Sequence, residues 1–143
     1  MIKSFRGQLA DGEQNQIHLA GGEVDTGFRI VSLKIMSPNP GVDLQESVVK
    51  VYKVKQTSVD GVVNFNDDTL LGAAYLETHG EPWYTDADQV IFDREVINQD
   101  IYITHKDIAV GVGVNYYLEL EEIKMKDPEI AVVNYSAALL HGE

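Results

Sequence analysis

The feature that most limits what this chain can fold into is a two-residue alternation of apolar and polar positions, which returns repeatedly before any helical pattern appears. In "TGFRIVSLKIMS", Val31, Leu33 and Ile35 fall on one face and Ser32 and Lys34 on the other, the pattern of a strand with one side in a core. "NYYLELEEIKM" repeats it, setting Tyr116, Leu118 and Leu120 against Tyr117, Glu119 and Glu121, and changes phase at Ile123 as a β-bulge would require.

Turn chemistry separates these segments. "KSFRGQLADGEQNQIHLAGG" reads as a hairpin, with strands around Phe5 to Leu9 and Gln16 to Ala20 and a turn supplied by Asp11 and Gly12. "SPNPGVD" ends the next strand, because two prolines and a glycine cannot extend a ladder. "ESVVKVYKVKQ" is rich in β-branched and aromatic residues, and Lys50, Lys53 and Lys55 mark parts of it as solvent-facing, as on a protected edge strand. Beyond the polar loop "TSVDGVVNFNDD", "TLLGAAYLET" reads as a strand, although its alanines also suit a helical turn. "QVIFDREVINQDIYITHKD" carries two more, about Ile91 and from Ile101 to His105. In the second, Ile101, Ile103 and His105 take the buried face while Asp100, Tyr102, Thr104 and Lys106 point away, and Asp107 begins a turn.

In "KDPEIAVVNYSAALLHGE", Asp127 can cap a helix and Pro128 suits its first position, with Ile130, Val133, Ala137 and Leu140 on one stripe. The expectation is a short C-terminal helix, or else an extended arm packed on a neighbour. Roughly seven to nine strands with turn signals about every 8 to 15 residues predict an all-β, antiparallel β-sandwich of jelly-roll type. No repeat or linker interrupts it, so residues 1–143 read as one domain, with 1–4 and 127–143 as candidate arms.

Composition narrows the chemistry. With 44% hydrophobic and 24% charged residues the chain matches an ordered globular protein. A net charge of -12 disfavours nucleic acid and anionic membrane surfaces, and the acids are spread along the whole chain, as on a solvated surface. The lack of cysteine excludes disulfides, thiolate metal sites and cysteine nucleophiles. No apolar run has the length of a signal peptide or a membrane span, which leads to the expectation of synthesis in a cytoplasm.

Catalytic and metal motifs are weak. His18, His79, His105 and His141 lack the short spacing that places two ligands on one metal. None of Ser4, Ser32, Ser37, Ser47, Ser58 or Ser136 sits in a Gly-x-Ser-x-Gly elbow. Glu119 and Glu121 project from the same face of a strand, as a solvated face does, rather than from opposite sides of a glycosidase cleft. "NFNDD" and "YTDAD" offer oxygen ligands without the EF-hand pattern, and their Asn and Asp serve turns equally well. No phosphate loop or dinucleotide fingerprint is present, so no cofactor is expected. Trp83, beside Pro82 and Tyr84, can plug one end of the sandwich, anchor a protein interface or stack on a sugar.

The opening "FRGQLADGEQNQIHLAGGEVDTGFRIVSLKI", the middle "TSVDGVVNFNDDTLLGAAY", and the pair "VINQDIYITHKD" and "NYYLELEEIKM" resemble small virion structural proteins, of the capsid decoration or cement kind, from marine tailed bacteriophages. The likeness spans most of the chain and lies in strand texture and phrase. It implies a non-enzymatic protein made in a bacterial host's cytoplasm, located on the capsid surface of the virion, bound to the major capsid protein and assembled as a homotrimer. The expected docking elements are the N-terminal segment, the aromatic loop and the segment after Asp127, with Phe5, Trp83, Tyr84 and Tyr135 as partner-binding residues. A tail, adaptor or head-fibre component is the alternative within a virion. A carbohydrate-binding module using Trp83 and Tyr84 is the alternative outside one, and a glycan-modifying enzyme ranks third.

Overall fold

The computed structural model describes residues 1–19, 24–42, 44–78 and 87–141. In chain order these form β1 (Ile2–Leu9), β2 (Gln14–Ile17), β3 (Thr26–Met36), β4 (Gln45–Tyr52), β5 (Leu70–Thr78), β6 (Ala87–Phe92), β7 (Ile101–Asp107), β8 (Val114–Lys124) and α1 (Asp127–His141). The strands make two antiparallel sheets, ordered β1-β8-β3 and β2-β7-β4-β5-β6. Pairing is nested, β1 with β8, β2 with β7 and β4 with β5, like the two arms of one long hairpin rolled so that successive pairs alternate between sheets. That nesting is the jelly-roll order. The remaining pair of the roll is reduced to one antiparallel bridge, Phe28 with Ile97, whose two backbone hydrogen bonds measure 2.7 and 2.8 Å. β6 stays on β5, and the chain after it crosses to the edge of β3. The expected all-β sandwich with a short C-terminal helix is therefore what this sequence forms.

Alternation fills the space between the sheets. Leu118 and Leu120 from β8, Phe28, Ile30 and Leu33 from β3, Val49 and Val51 from β4, and Ile101 and Ile103 from β7 belong to one buried cluster. The central strands lose essentially all exposure: Val49, Val51, Ile101, Ile103, Leu118 and Leu120 are each 0% accessible. Burying a side chain of this kind stabilises the fold by about 1.5–3 kcal/mol before entropy is counted.

Four local expectations change. The segment around Asp11 and Gly12 is not a hairpin turn, because β1 pairs with β8 in one sheet and β2 with β7 in the other. It is a corner between sheets, and Gly12, at φ 80, makes it with its N–H donating to His105 O at 2.9 Å. The bulge lies in β3 rather than β8: the register slips between Ile30 and Ser32, so Val31 is the extra residue. That slip keeps Phe28, Ile30 and Leu33 in the core although their spacing is not strictly even. Lys50 is buried, at 3% exposure, because the 53–69 loop folds back over the outer side of β4, and Lys53, at 8%, is held against Glu95. Lys50 Nζ donates to Asp60 Oδ1 at 2.9 Å and to Val62 O at 2.6 Å, and Gly61 lies where a Cβ would come 2.9 Å from Ile108 Cγ2. β4 is thus a central strand covered on both faces. Finally, Ile2, Lys3 and Ser4 are ladder members opposite Glu121, Leu120 and Glu119, so 2–4 do not extend as a free arm.

The opposite crossing, between β7 and β8, runs beside the first. Asp107 Oδ1 accepts from the N–H of Glu46 at 2.9 Å and of Ala109 at 3.3 Å. Its Oδ2 accepts from Val110 at 3.3 Å, and from Gly111 and Val112 at 2.8 Å each. Asp11 Oδ1 in turn accepts from the Asp107 N–H at 2.9 Å. Two aspartates therefore tie both corners together where the roll turns from one sheet to the other.

Candidate docking surface on the C-terminal helix

The C-terminal segment is a helix rather than an extended arm. Lys126 holds the cap position, one residue earlier than expected: its C=O accepts from the Ile130 N–H at 3.0 Å, and its own N–H donates to Glu129 Oε2 at 3.0 Å. That is the return half of a capping box. Asp127 and Glu129 place negative charge in the first turn, where the helix dipole favours it. Met125, 7% exposed, anchors the approach, and its N–H donates to Asp25 O at 2.7 Å.

Residues 130–141 contain no Asp, Glu, Lys or Arg, in a chain of which 24% is charged. Ile130, Val133, Ala137 and Leu140, the stripe legible in the sequence, are half-buried, and the last three of them line a cleft between the helix and the sandwich. Tyr135 and Leu139, outside the lining of that cleft, are each 67% exposed, and Val132, 66% exposed, stands at the edge of the cleft beside them. A helix apolar on two sides normally has neighbours on two sides, and here one side faces solvent.

Beneath α1 lies a cleft of about 550 Å³, walled by the helix on one side and by Glu95 to Gln99, Lys53 and Met125 on the other. Gly27 makes room for that wall, since a Cβ there would stand 2.5 Å from Val96 Cγ1. Several polar groups of the cleft are already engaged. Lys53 Nζ donates to both carboxylate oxygens of Glu95 at 2.8 and 2.9 Å, Gln99 Nε2 donates to Lys53 O at 3.3 Å, and Asn98 Nδ2 donates to Asn134 Oδ1. What remains for contact is mainly hydrocarbon, from Val132, Val133, Ala137, Leu140 and Met125, with the Ser136 hydroxyl among them, so the arrangement suits exclusion of water by a largely apolar surface.

Of the partner-binding residues expected from the sequence, Tyr135 stands exposed on α1, whereas Phe5 faces inward and is half-buried against the core. Trp83 and Tyr84 lie outside the described residues, as does His79. Sequence reasoning missed the exposure of Val132 and Leu139; the absence of charge from 130 onward was the signal that could have found it.

One pairing familiar from nucleophilic catalysis does form. His105 Nε2 lies 2.8 Å from Ser47 Oγ, and His105 Nδ1 lies 3.1 Å from Ala10 O. Ala10 O can only accept, so Nδ1 carries the proton, and in the neutral imidazole Nε2 then accepts from the Ser47 hydroxyl. Ser47 Oγ accepts in turn from Gln45 Nε2 at 2.7 Å. Both Ser47 and His105 are 0% exposed, so the pair is closed to any substrate and serves the core. In "NFNDD", Asn64 Oδ1 accepts from the Asn66 N–H at 3.0 Å and Asp67 Oδ1 from the Thr69 N–H at 2.9 Å, both turn bonds. Glu121 on the outer face of β8 pairs with Arg29 at 2.7 Å. Among the described residues no three metal-ligating side chains converge, and no helix is long and apolar enough to cross a membrane. No protein-family model matches this chain, and no curated protein sequence matches it.

Proposed function

We propose that this protein is a bacteriophage virion component, a decoration or cement protein that binds the capsid exterior, bridges copies of the major capsid protein and assembles as a homotrimer without catalysing a reaction. The observation that carries this reading is the uncharged, exposed apolar side of α1, Tyr135 and Leu139 with Val132 at the cleft edge beside them, mounted on the sandwich. It agrees with the sequence resemblance to virion structural proteins. Each contact by one helix is small, but three linked copies hold the later contacts at high effective concentration, so weak attachment becomes durable. The net charge of -12 then meets basic patches on the shell, at the rim around the apolar contact.

Tyr135→Lys is the direct test. The side chain is 67% exposed, so the substitution shifts unfolding by no more than about 0.5 kcal/mol. Binding to expanded empty capsids, read by co-sedimentation, should weaken roughly 30-fold, the effect of losing an aromatic anchor worth about 2 kcal/mol. Unchanged binding by this variant, or a wild-type protein that leaves the shells bare, would remove the proposal.

A further inference from the structure

The outer face of the three-stranded sheet carries a different surface. Arg6, Tyr117 and Lys34 stand opposite one another across β1, β8 and β3, and all three are exposed, Tyr117 by 37%. Among the described residues neither Arg6 nor Lys34 joins an ion pair, whereas Arg29, Lys50, Lys53, Lys106 and Lys124 each do. Two strand spacings separate Arg6 from Lys34, about 10 Å between Cα atoms, with the phenol ring between them. The next row along holds Gln8 and Asn115, joined by Gln8 Nε2 donating to Asn115 Oδ1 at 3.2 Å, and then Met36. In the other direction Glu119 stands between Ser4 and Ser32, and Glu121 beyond it is engaged by Arg29. Arg6, Lys34, Met36, Asn115 and Tyr117 border a shallow groove of about 530 Å³.

Two unpaired cations flanking an exposed ring run against the average surface of a chain whose net charge is -12. We propose that this groove binds an acidic polysaccharide, a glycan bearing carboxylates or sulfates, with one sugar ring stacked on Tyr117 and its flanking anionic groups held by Arg6 and Lys34. Aromatic faces take the apolar face of a sugar, and the Arg guanidinium grips a carboxylate or sulfate with paired donors while Lys supplies a point charge. The amides of Gln8 and Asn115 offer both donors and acceptors to hydroxyl groups. An acidic peptide fits less well: an extended peptide binds a sheet by adding to its edge, and this row lies across the face. The protein's overall charge repels a polyanion at long range. At physiological ionic strength the Debye length is about 8 Å, so contact pairs decide the outcome.

This surface is separate from α1 and does not rest on the capsid reading, and each can fail without the other. Affinity electrophoresis at physiological ionic strength, in gels containing alginate, carrageenan, dextran or polyglutamate, tests it. Wild-type protein is expected to be retarded by alginate or carrageenan and not by dextran, with the stronger of the two reporting carboxylate or sulfate preference. The double variant Arg6→Gln/Lys34→Gln should weaken the retardation at least tenfold with its thermal midpoint unchanged, and Tyr117→Ala by a comparable factor. Absence of retardation by both acidic glycans, or equal retardation of the double variant, overturns the proposal. Equal retardation by polyglutamate also overturns it, in favour of an acidic protein segment on the same face.

Discussion

Replacing Asp107 by Asn is expected to lower the unfolding free energy by about 3 kcal/mol, one of the two largest losses from a single substitution anticipated for this fold. The carboxylate accepts five backbone N–H groups, from Glu46, Ala109, Val110, Gly111 and Val112, while itself only 4% exposed. An amide keeps the shape but turns one oxygen into a donor that faces other donors, leaving N–H groups at a buried corner without an acceptor. Burial alone would raise the pKa of this group. The backbone donors outweigh it and hold the carboxyl below its ordinary value of 3.8. The folded state therefore binds fewer protons than the unfolded chain in that range. The stabilisation is complete above 3.8 and is lost as pH falls below it toward the folded value. Urea unfolding at a series of acidic pH values should show a shallower pH slope in the Asn variant. Some slope should persist, because Asp60, through its bond from Lys50, and Asp67, through its bonds from Thr69, are also held low. An unaltered slope would mean that Asp107 does not hold the corner.

His105→Ala should cost about 3–5 kcal/mol, by emptying a fully buried site and stranding two partners at once. Ala10 O loses its donor, and the Ser47 hydroxyl loses its acceptor. Ser47→Ala alone removes a smaller side chain but leaves the buried His105 Nε2 without its partner, and costs about 1–3 kcal/mol. Since the two share one hydrogen bond, the double variant should lose less than the sum of the singles, by about 1 kcal/mol. Chemical denaturation of the four proteins gives that difference. Strict additivity would mean that the Oγ to Nε2 bond contributes nothing.

These two residues also show how far the sequence could be read. In "NQDIYITHKD" the alternation correctly sends Ile101, Ile103 and His105 inward, because the face of a strand is set by a local period. Thr104, on the other face, is nevertheless only 1% exposed, and its neighbour Lys50 only 3%. What covers Lys50 is the 53–69 loop, and a loop that folds back over a sheet leaves no periodic trace. The same limit explains the corner at Asp11 and Gly12: turn residues announce a change of direction, and only the distant pairing with β7 and β8 decides whether the chain stays in its sheet. The bulge at Val31 was hidden for a similar reason, since β3 alone alternates acceptably and the slip exists only against β8. At the candidate docking surface, the inner stripe of α1 was legible from helical spacing, while the exposure of the apolar residues beside it required knowing which side the sandwich occupies.

The exposed apolar side of α1 and the cation-flanked ring of the small sheet give this protein two dissimilar surfaces, one largely hydrocarbon and one polar. On a particle, the first would meet the shell and the second would meet whatever surrounds it. Locating the chain in purified virions by cryo-electron microscopy, with its copy number relative to the major capsid protein, tests the central claim most directly. The account predicts threefold-clustered density on the capsid exterior, α1 against the shell, at a fixed stoichiometric ratio. Absence from the particle, or presence in a few copies confined to the tail, would contradict it.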